Sequence, residues 1–140
     1  MSMNLEGGCL CGRVRFEISG PLRVVTHCHC STCRKAAGAA FVTWLTVRPE
    51  HFRWTAGKPA SFRSSPSVRR GFCPTCGTSL SYQRDGLRDE IDVTAATLDD
   101  PEAVRPQDHI WWPSRLSWVV PGDGLPRLDA DHSAHGYPKA

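Results

Sequence analysis

Arg13-Val14-Arg15-Phe16-Glu17-Ile18-Ser19 alternates polar and apolar side chains, the period that lays one face of a β-strand on a core and leaves the other wet. Gly20-Pro21 breaks the run, and Leu22 to Thr26 resumes an extended stretch leading into a cysteine triplet. Ala39 to Val47 is rich in β-branched and aromatic residues and stops at Arg48-Pro49. Phe52 to Thr55, Ala60 to Arg63, Val68 to Phe72, Thr78 to Gln83 and Glu90 to Thr94 read as further short strands. Turn residues separate them at Gly57-Lys58-Pro59, Ser64-Ser65-Pro66-Ser67 and Arg84-Asp85-Gly86. Helix is expected in two places only: after Ser31, whose hydroxyl is placed to cap a segment through Ala37, and over Asp99-Asp100-Pro101-Glu102-Ala103. The chain reads as mainly β with little helix. From Asp129 it is polar and without apolar periodicity, so residues 129–140 are expected as a flexible tail behind one domain over residues 5–128.

A length of 140 residues suits one domain, and 40% hydrophobic with 22% charged residues is ordinary globular usage. No apolar run approaches the roughly 20 residues of a membrane span, so no membrane partner is expected. Met1-Ser2-Met3-Asn4-Leu5-Glu6 has neither the basic start nor the apolar stretch of a secretion signal, so a cytoplasmic location is expected. A net charge of +3 without a continuous basic run argues against nucleic acid as the partner. Only Lys35, Lys58 and Lys139 among the 17 basic residues are lysines. Arginine is the better fork for carboxylates and phosphates, which keeps an anionic ligand in view.

The chain has seven cysteines, an odd number that leaves one over from any closed disulfide set. In a reducing compartment clustered thiols more often hold metal. They fall in three groups: Cys9-Leu10-Cys11-Gly12, Cys28-His29-Cys30-Ser31-Thr32-Cys33, and Cys73-Pro74-Thr75-Cys76-Gly77. Cysteines two or three positions apart at a tight turn reach one ion together, and a glycine after the second permits the positive φ that closes the turn. Seven thiolates divide most simply into four plus three. Cys9, Cys11, Cys73 and Cys76 would close one tetrahedral, structural site; Cys28, Cys30 and Cys33 would hold a second ion and keep one corner for water or substrate. His27 or His29, or a distant His51 or His109, could instead fill that corner and give two closed sites. An iron–sulfur cluster is a further option for thiolate-rich groups.

These residues resemble the glutathione-dependent formaldehyde-activating enzyme family, which also includes centromere protein V. The resemblance is carried by Gly8-Cys9-Leu10-Cys11-Gly12, Cys28 to Lys35, and Gly71-Phe72-Cys73-Pro74-Thr75-Cys76-Gly77-Thr78-Ser79-Leu80. Gly38-Ala39-Ala40-Phe41, Arg63-Ser64-Ser65, His109-Ile110-Trp111 and Ser117-Trp118 extend it, so that it runs from about Gly7 to Leu128. It implies a β-tent fold of twisted antiparallel sheets. It also implies two zinc ions per chain: a structural one on Cys9, Cys11, Cys73 and Cys76, and a second on Cys28, Cys30 and Cys33. The family's namesake reaction, a carbon–sulfur lyase reaction, joins glutathione and formaldehyde into S-(hydroxymethyl)glutathione. A thiol and a small aldehyde are therefore the implied partners.

The chemistry has its own logic. A free thiol, with a pKa near 8.5, is weakly ionised at neutral pH, and coordination to zinc deprotonates it. Three cysteinates around a divalent ion leave one net negative charge and a fourth thiolate makes two, so cations must stand nearby. Arg34, beside the triplet, and Arg69-Arg70, before Cys73, are the nearest in sequence; the latter pair could also hold glutathione carboxylates. Strand alternation lets at most one of Arg69 and Arg70 face the site. Trp44, Trp54, Trp111, Trp112 and Trp118 are expected mainly as core, with some available to wall a pocket. A non-catalytic thiol carrier and a zinc-stabilised nucleic-acid or protein-binding module are the competing readings.

Overall fold

The computed structural model describes residues 3–86 and 89–138; residues 1–2, 87–88 and 139–140, including both ends of the chain and the last of the expected tail, lie outside them. Two sheets make up the domain. The smaller has the order β1 (Met3–Gly8), β2 (Arg15–Gly20), β5 (Phe52–Ala56), all antiparallel. The larger runs β10 (Asp108–Ile110), β3 (Val24–Cys28), β4 (Val42–Val47), β9 (Ile91–Thr94), β8 (Ser79–Arg84), β7 (Val68–Phe72), β6 (Ala60–Ser65). Its neighbours are antiparallel except β10, which lies parallel to β3. Among the described residues helix is confined to α1 (Ser31–Ala37), the single turn α2 (His132–His135) and a few 3-10 turns. Among the described residues no helix is long and apolar enough to cross a membrane. The mainly β reading holds.

The alternation that opened the sequence does what period two requires. Phe16 and Ile18 are buried and pack with Leu5, Val25, Leu45, Val47, Ile91 and Val93 between the sheets. Phe16 stacks on Phe52 at 5.6 Å and meets the edge of Trp54 at 6.2 Å. Each such side chain contributes about 1.5–3 kcal/mol by leaving water. Gly7 sits where a Cβ would come within 2.5 Å of Phe16 Cζ and 2.6 Å of the Thr97 carbonyl oxygen, so only glycine lets β1 lie this close.

β1 and β10 have no counterpart among the expected strands. In β1 the alternation is cut short by Gly7-Gly8, although Leu5 pairs with Ile18 in register. β10 is three residues long and buries Asp108 and His109, so no apolar pattern announces it. Residues 129–138, expected as a loose tail, include α2, whose His132 is buried against Asp108 at 2.8 Å. Asp131 also pairs with Arg84 at 3.1 Å. These contacts are polar, which is why apolar periodicity is silent about them.

Candidate metal centres

The large sheet has two unlike faces, and register shows which residues share each. Val25, Leu45, Val47, Ile91 and Val93 point into the core. Thr26 pairs with Trp44 and with Asp108, Cys28 with Ile110, and Asp92 with both Thr46 and Tyr82, placing all of them on the other face. Cys28 ends β3 on that face. His27 and His109, one residue out of phase, project on the opposite side.

All seven cysteines are brought into two groups, with sulfurs of each group within 4.8 Å of one another: Cys9, Cys11, Cys73 and Cys76 in one, and Cys28, Cys30 and Cys33 in the other. Four sulfurs at tetrahedral corners about 2.3 Å from one ion would lie about 3.8 Å apart. The Cys9–Cys11 and Cys11–Cys73 separations are 3.6 and 3.8 Å. Backbone N–H groups also point at the sulfurs: Val14 N–H donates to Cys9 Sγ at 3.2 Å, and Thr75 and Cys76 donate to Cys73 Sγ at 3.4 Å. Gly12 and Gly77 have φ of 78° and 80°, the left-handed turn expected after each pair. The donor set and spacing fit a closed, four-thiolate metal site joining the β1–β2 loop to the β7–β8 loop.

The triplet is built at the junction of β3 and α1. Cys30, not Ser31, caps α1: its sulfur accepts from Cys33 N–H at 3.3 Å. Helix formation thereby fixes Cys30 and Cys33 one turn apart, next to Cys28. The close approach of the three thiols pushes Cys30 down to about 2 through Cys28 and Cys33, and Cys28 well up through Cys30 and Cys33. Such a group is set to share one positive charge. Among the described residues no fourth His, Cys or carboxylate joins it.

The candidate fourth ligands lie elsewhere. His29 Nε2 is 2.8 Å from His109 Nδ1, and His109 Nε2 is 2.8 Å from Asp123. His27 bonds Thr43 at 2.8 Å and packs on His109. His29 is held down to about 4 by burial and by the neighbouring His109. His51 packs under Gly20 at the small sheet.

Of the arginines, Arg70 reaches the triplet. It is buried, its two terminal nitrogens lie 3.6 Å from Cys33 Sγ, and Ser64, Thr32 and the Tyr82 ring hold it there. Arg69 points the other way, to Asp85 at 3.6 Å. Arg34 donates to the carbonyls of His29 at 2.7 Å and Ser114 at 2.5 Å, so its guanidinium ties the α1 start to the chain after β10.

Two hollows meet at the triplet, and Cys33 and Trp44 line both. One is an open groove of about 670 Å³ bordered by Ser31, Lys35, Phe62, Arg70, Phe72 and Ser81 among others. The other is a cavity of about 70 Å³ lined by all three cysteines together with Thr46, Tyr82, Asp92 and Trp111. Trp44 and Trp111 thus wall the site, while Trp54 packs on the core and Trp118 is exposed. Trp111 takes a left-handed conformation, φ 54°, alone among the described non-glycine residues. Asp92, Thr46 and Tyr82 carry no motif. Only the polar alternation of Glu90, Asp92 and Thr94 could have flagged this face.

A family model, glutathione-dependent formaldehyde-activating enzyme, matches residues 4–114. The chain belongs to that family. A Halomonas elongata protein named "Putative glutathione-dependent formaldehyde-activating enzyme" is 28% identical over 147 residues, covering 97% of this chain and 90% of its own. An uncharacterized lyase of Schizosaccharomyces pombe is 32% identical over 79 residues, 55% of this chain and 56% of its own. The crystal structure of a Rhodobacter sphaeroides protein shares the fold, with a TM-score of 0.57 and 24% identity over 88% of this chain and 98% of that one.

Proposed function

We propose that this family member is a two-zinc enzyme that makes or breaks the carbon–sulfur bond between a glutathione-like thiol and a small aldehyde. The observation that carries the reading is the three-cysteine group, which no fourth ligand joins among the described residues and which opens on one large and one small hollow. Cys9, Cys11, Cys73 and Cys76 would hold a structural zinc. Cys28, Cys30 and Cys33 would hold the second, which when bound keeps a substrate thiol ionised at neutral pH.

The chain's residues account for the rest. The groove of about 670 Å³ has room for a tripeptide thiol, whereas the cavity of about 70 Å³ suits an aldehyde of one or two carbons. Lys35 and Arg70 give the groove positive charge for the thiol's carboxylates. Arg70 also offsets the negative charge of the sulfurs. Trp44, Tyr82 and Trp111 supply apolar walls beside the cysteines against which the two reactants can be oriented.

Exchange NMR on glutathione and formaldehyde with catalytic zinc-loaded protein tests this. Adduct exchange should run faster than the spontaneous reaction and return to the spontaneous rate in Cys30→Ser. Tight thiol binding without acceleration would instead make the protein a thiol carrier.

A further inference from the structure

We propose that Asp92 carries the proton that moves between the thiol and the aldehyde oxygen during the reaction, a role that rests on the thiol–aldehyde reading above. Asp92 stands on the cysteine-bearing face of the large sheet, opposite Thr46 on one side and Tyr82 on the other. It lines the same cavity of about 70 Å³ as Cys28, Cys30 and Cys33. The cavity thus connects the carboxyl to the cysteine sulfurs.

Its surroundings leave it available. Thr46 donates to Oδ1 at 2.5 Å; among the described residues no side chain bonds Oδ2 and no cation pairs with the carboxyl. The basic side chains on this face bond other acids: Arg84 bonds Asp131 at 3.1 Å, and His132 bonds Asp108 at 2.8 Å. Glu90, the acid just before β9, is taken by Arg23 at 3.2 Å and adds negative charge beside Asp92. Tyr82 contributes a neutral phenol whose pKa is pushed up to about 12 by burial. Burial, aided by Glu90 and opposed by Thr46, raises Asp92 to about 7, so the group exchanges protons in the neutral range.

The step balances. A lone pair of the substrate thiolate forms the C–S bond, the carbonyl π pair moves to oxygen, and the Asp92 O–H bond breaks to deliver its proton there. The products are the S-hydroxymethyl adduct and the Asp92 carboxylate. That carboxylate accepts the proton lost by the next thiol, so no other reagent is consumed. Adduct cleavage runs the same transfers backwards.

The test compares wild type with Asp92→Asn, both zinc-loaded. Exchange kcat/KM should fall about 10²-fold or more, and the wild-type loss of adduct formation as pH rises through about 7 should vanish. Metal content should not change. Infrared difference spectra of the resting protein should show a carboxylic-acid C=O band that titrates near pH 7 and is missing in Asp92→Asn. Equal rates and pH profiles in the two proteins would overturn the role of Asp92 alone. A wild-type protein no faster than the spontaneous reaction would overturn the thiol–aldehyde reading and this proposal with it. Absence of the band from wild type would overturn the proton-carrying role even where the substitution slows the reaction.

Discussion

Arg70 sets two guanidinium nitrogens 3.6 Å from the sulfur of Cys33, from a buried position held by Ser64, Thr32 and Tyr82. A fixed cation beside the thiolate-rich group lowers the cost of gathering negative charge there. Arg70→Gln should therefore weaken metal retention at the triplet, or the reaction it supports, by about 10–100-fold. Arg69→Gln, whose side chain turns to Asp85, should change either by less than about twofold. Zinc competition against a chelator, followed by native mass spectrometry, reads the difference.

The two cysteine groups should lose metal at different rates. The four-sulfur group is closed and ties loops more than sixty residues apart; the triplet opens onto two hollows. Native mass spectrometry should find two zinc ions per chain, one of which leaves first under mild chelation while the fold persists. Cys30→Ser should retain one ion, whereas Cys76→Ser should fail to fold stably.

Acid should attack the C-terminal packing. Burial works against ionised Asp108, but the bonds from His132 and Thr26 more than offset it and hold its carboxyl below the ordinary value. A lowered folded-state pKa gives stability that is complete above the unfolded value of about 3.9 and lost as pH falls through the folded one. Asp92, raised to about 7, has the opposite sign: its ionisation costs stability as pH rises from about 4 to about 7. His132→Ala should cost about 1–3 kcal/mol at pH 6 by leaving Asp108 short of a buried partner. Its midpoint should also respond less to acid, which denaturant titrations across pH would show.

Gly7→Ala should destabilise the domain by about 1–3 kcal/mol through overpacking, because the new Cβ would meet Phe16 and the Thr97 carbonyl below 3 Å. Gly12→Ala, where nothing lies within 4 Å but φ is 78°, should cost about 1 kcal/mol from backbone strain alone. Urea titrations of both variants separate crowding from strain.

Much of this is legible in the sequence. Phe16 and Ile18 gave away β2 through alternation, and the spacing of the cysteines was enough to divide them into four and three. Alternation also separated Arg69 from Arg70. What stayed hidden was polar. β10 buries Asp108 and His109 through hydrogen bonds to Thr26, His132, His29 and Asp123, which leave no apolar signature. Asp92 carries no motif because its place comes from register: Thr46 and Tyr82 flank it only after β9 has paired with β8 and with the remote β4. The hydroxyl of Ser31 suits a helix cap, but the sulfur of Cys30 takes that place.

In the proposed reaction a substrate thiol enters the open corner left by Cys28, Cys30 and Cys33. Cobalt-substituted protein titrated with glutathione tests it most directly, through the sulfur-to-metal charge-transfer absorption. The absorption should increase and saturate at one thiol per chain, and the increase should be absent from Cys30→Ser. A spectrum that glutathione leaves unchanged in wild-type protein would contradict it.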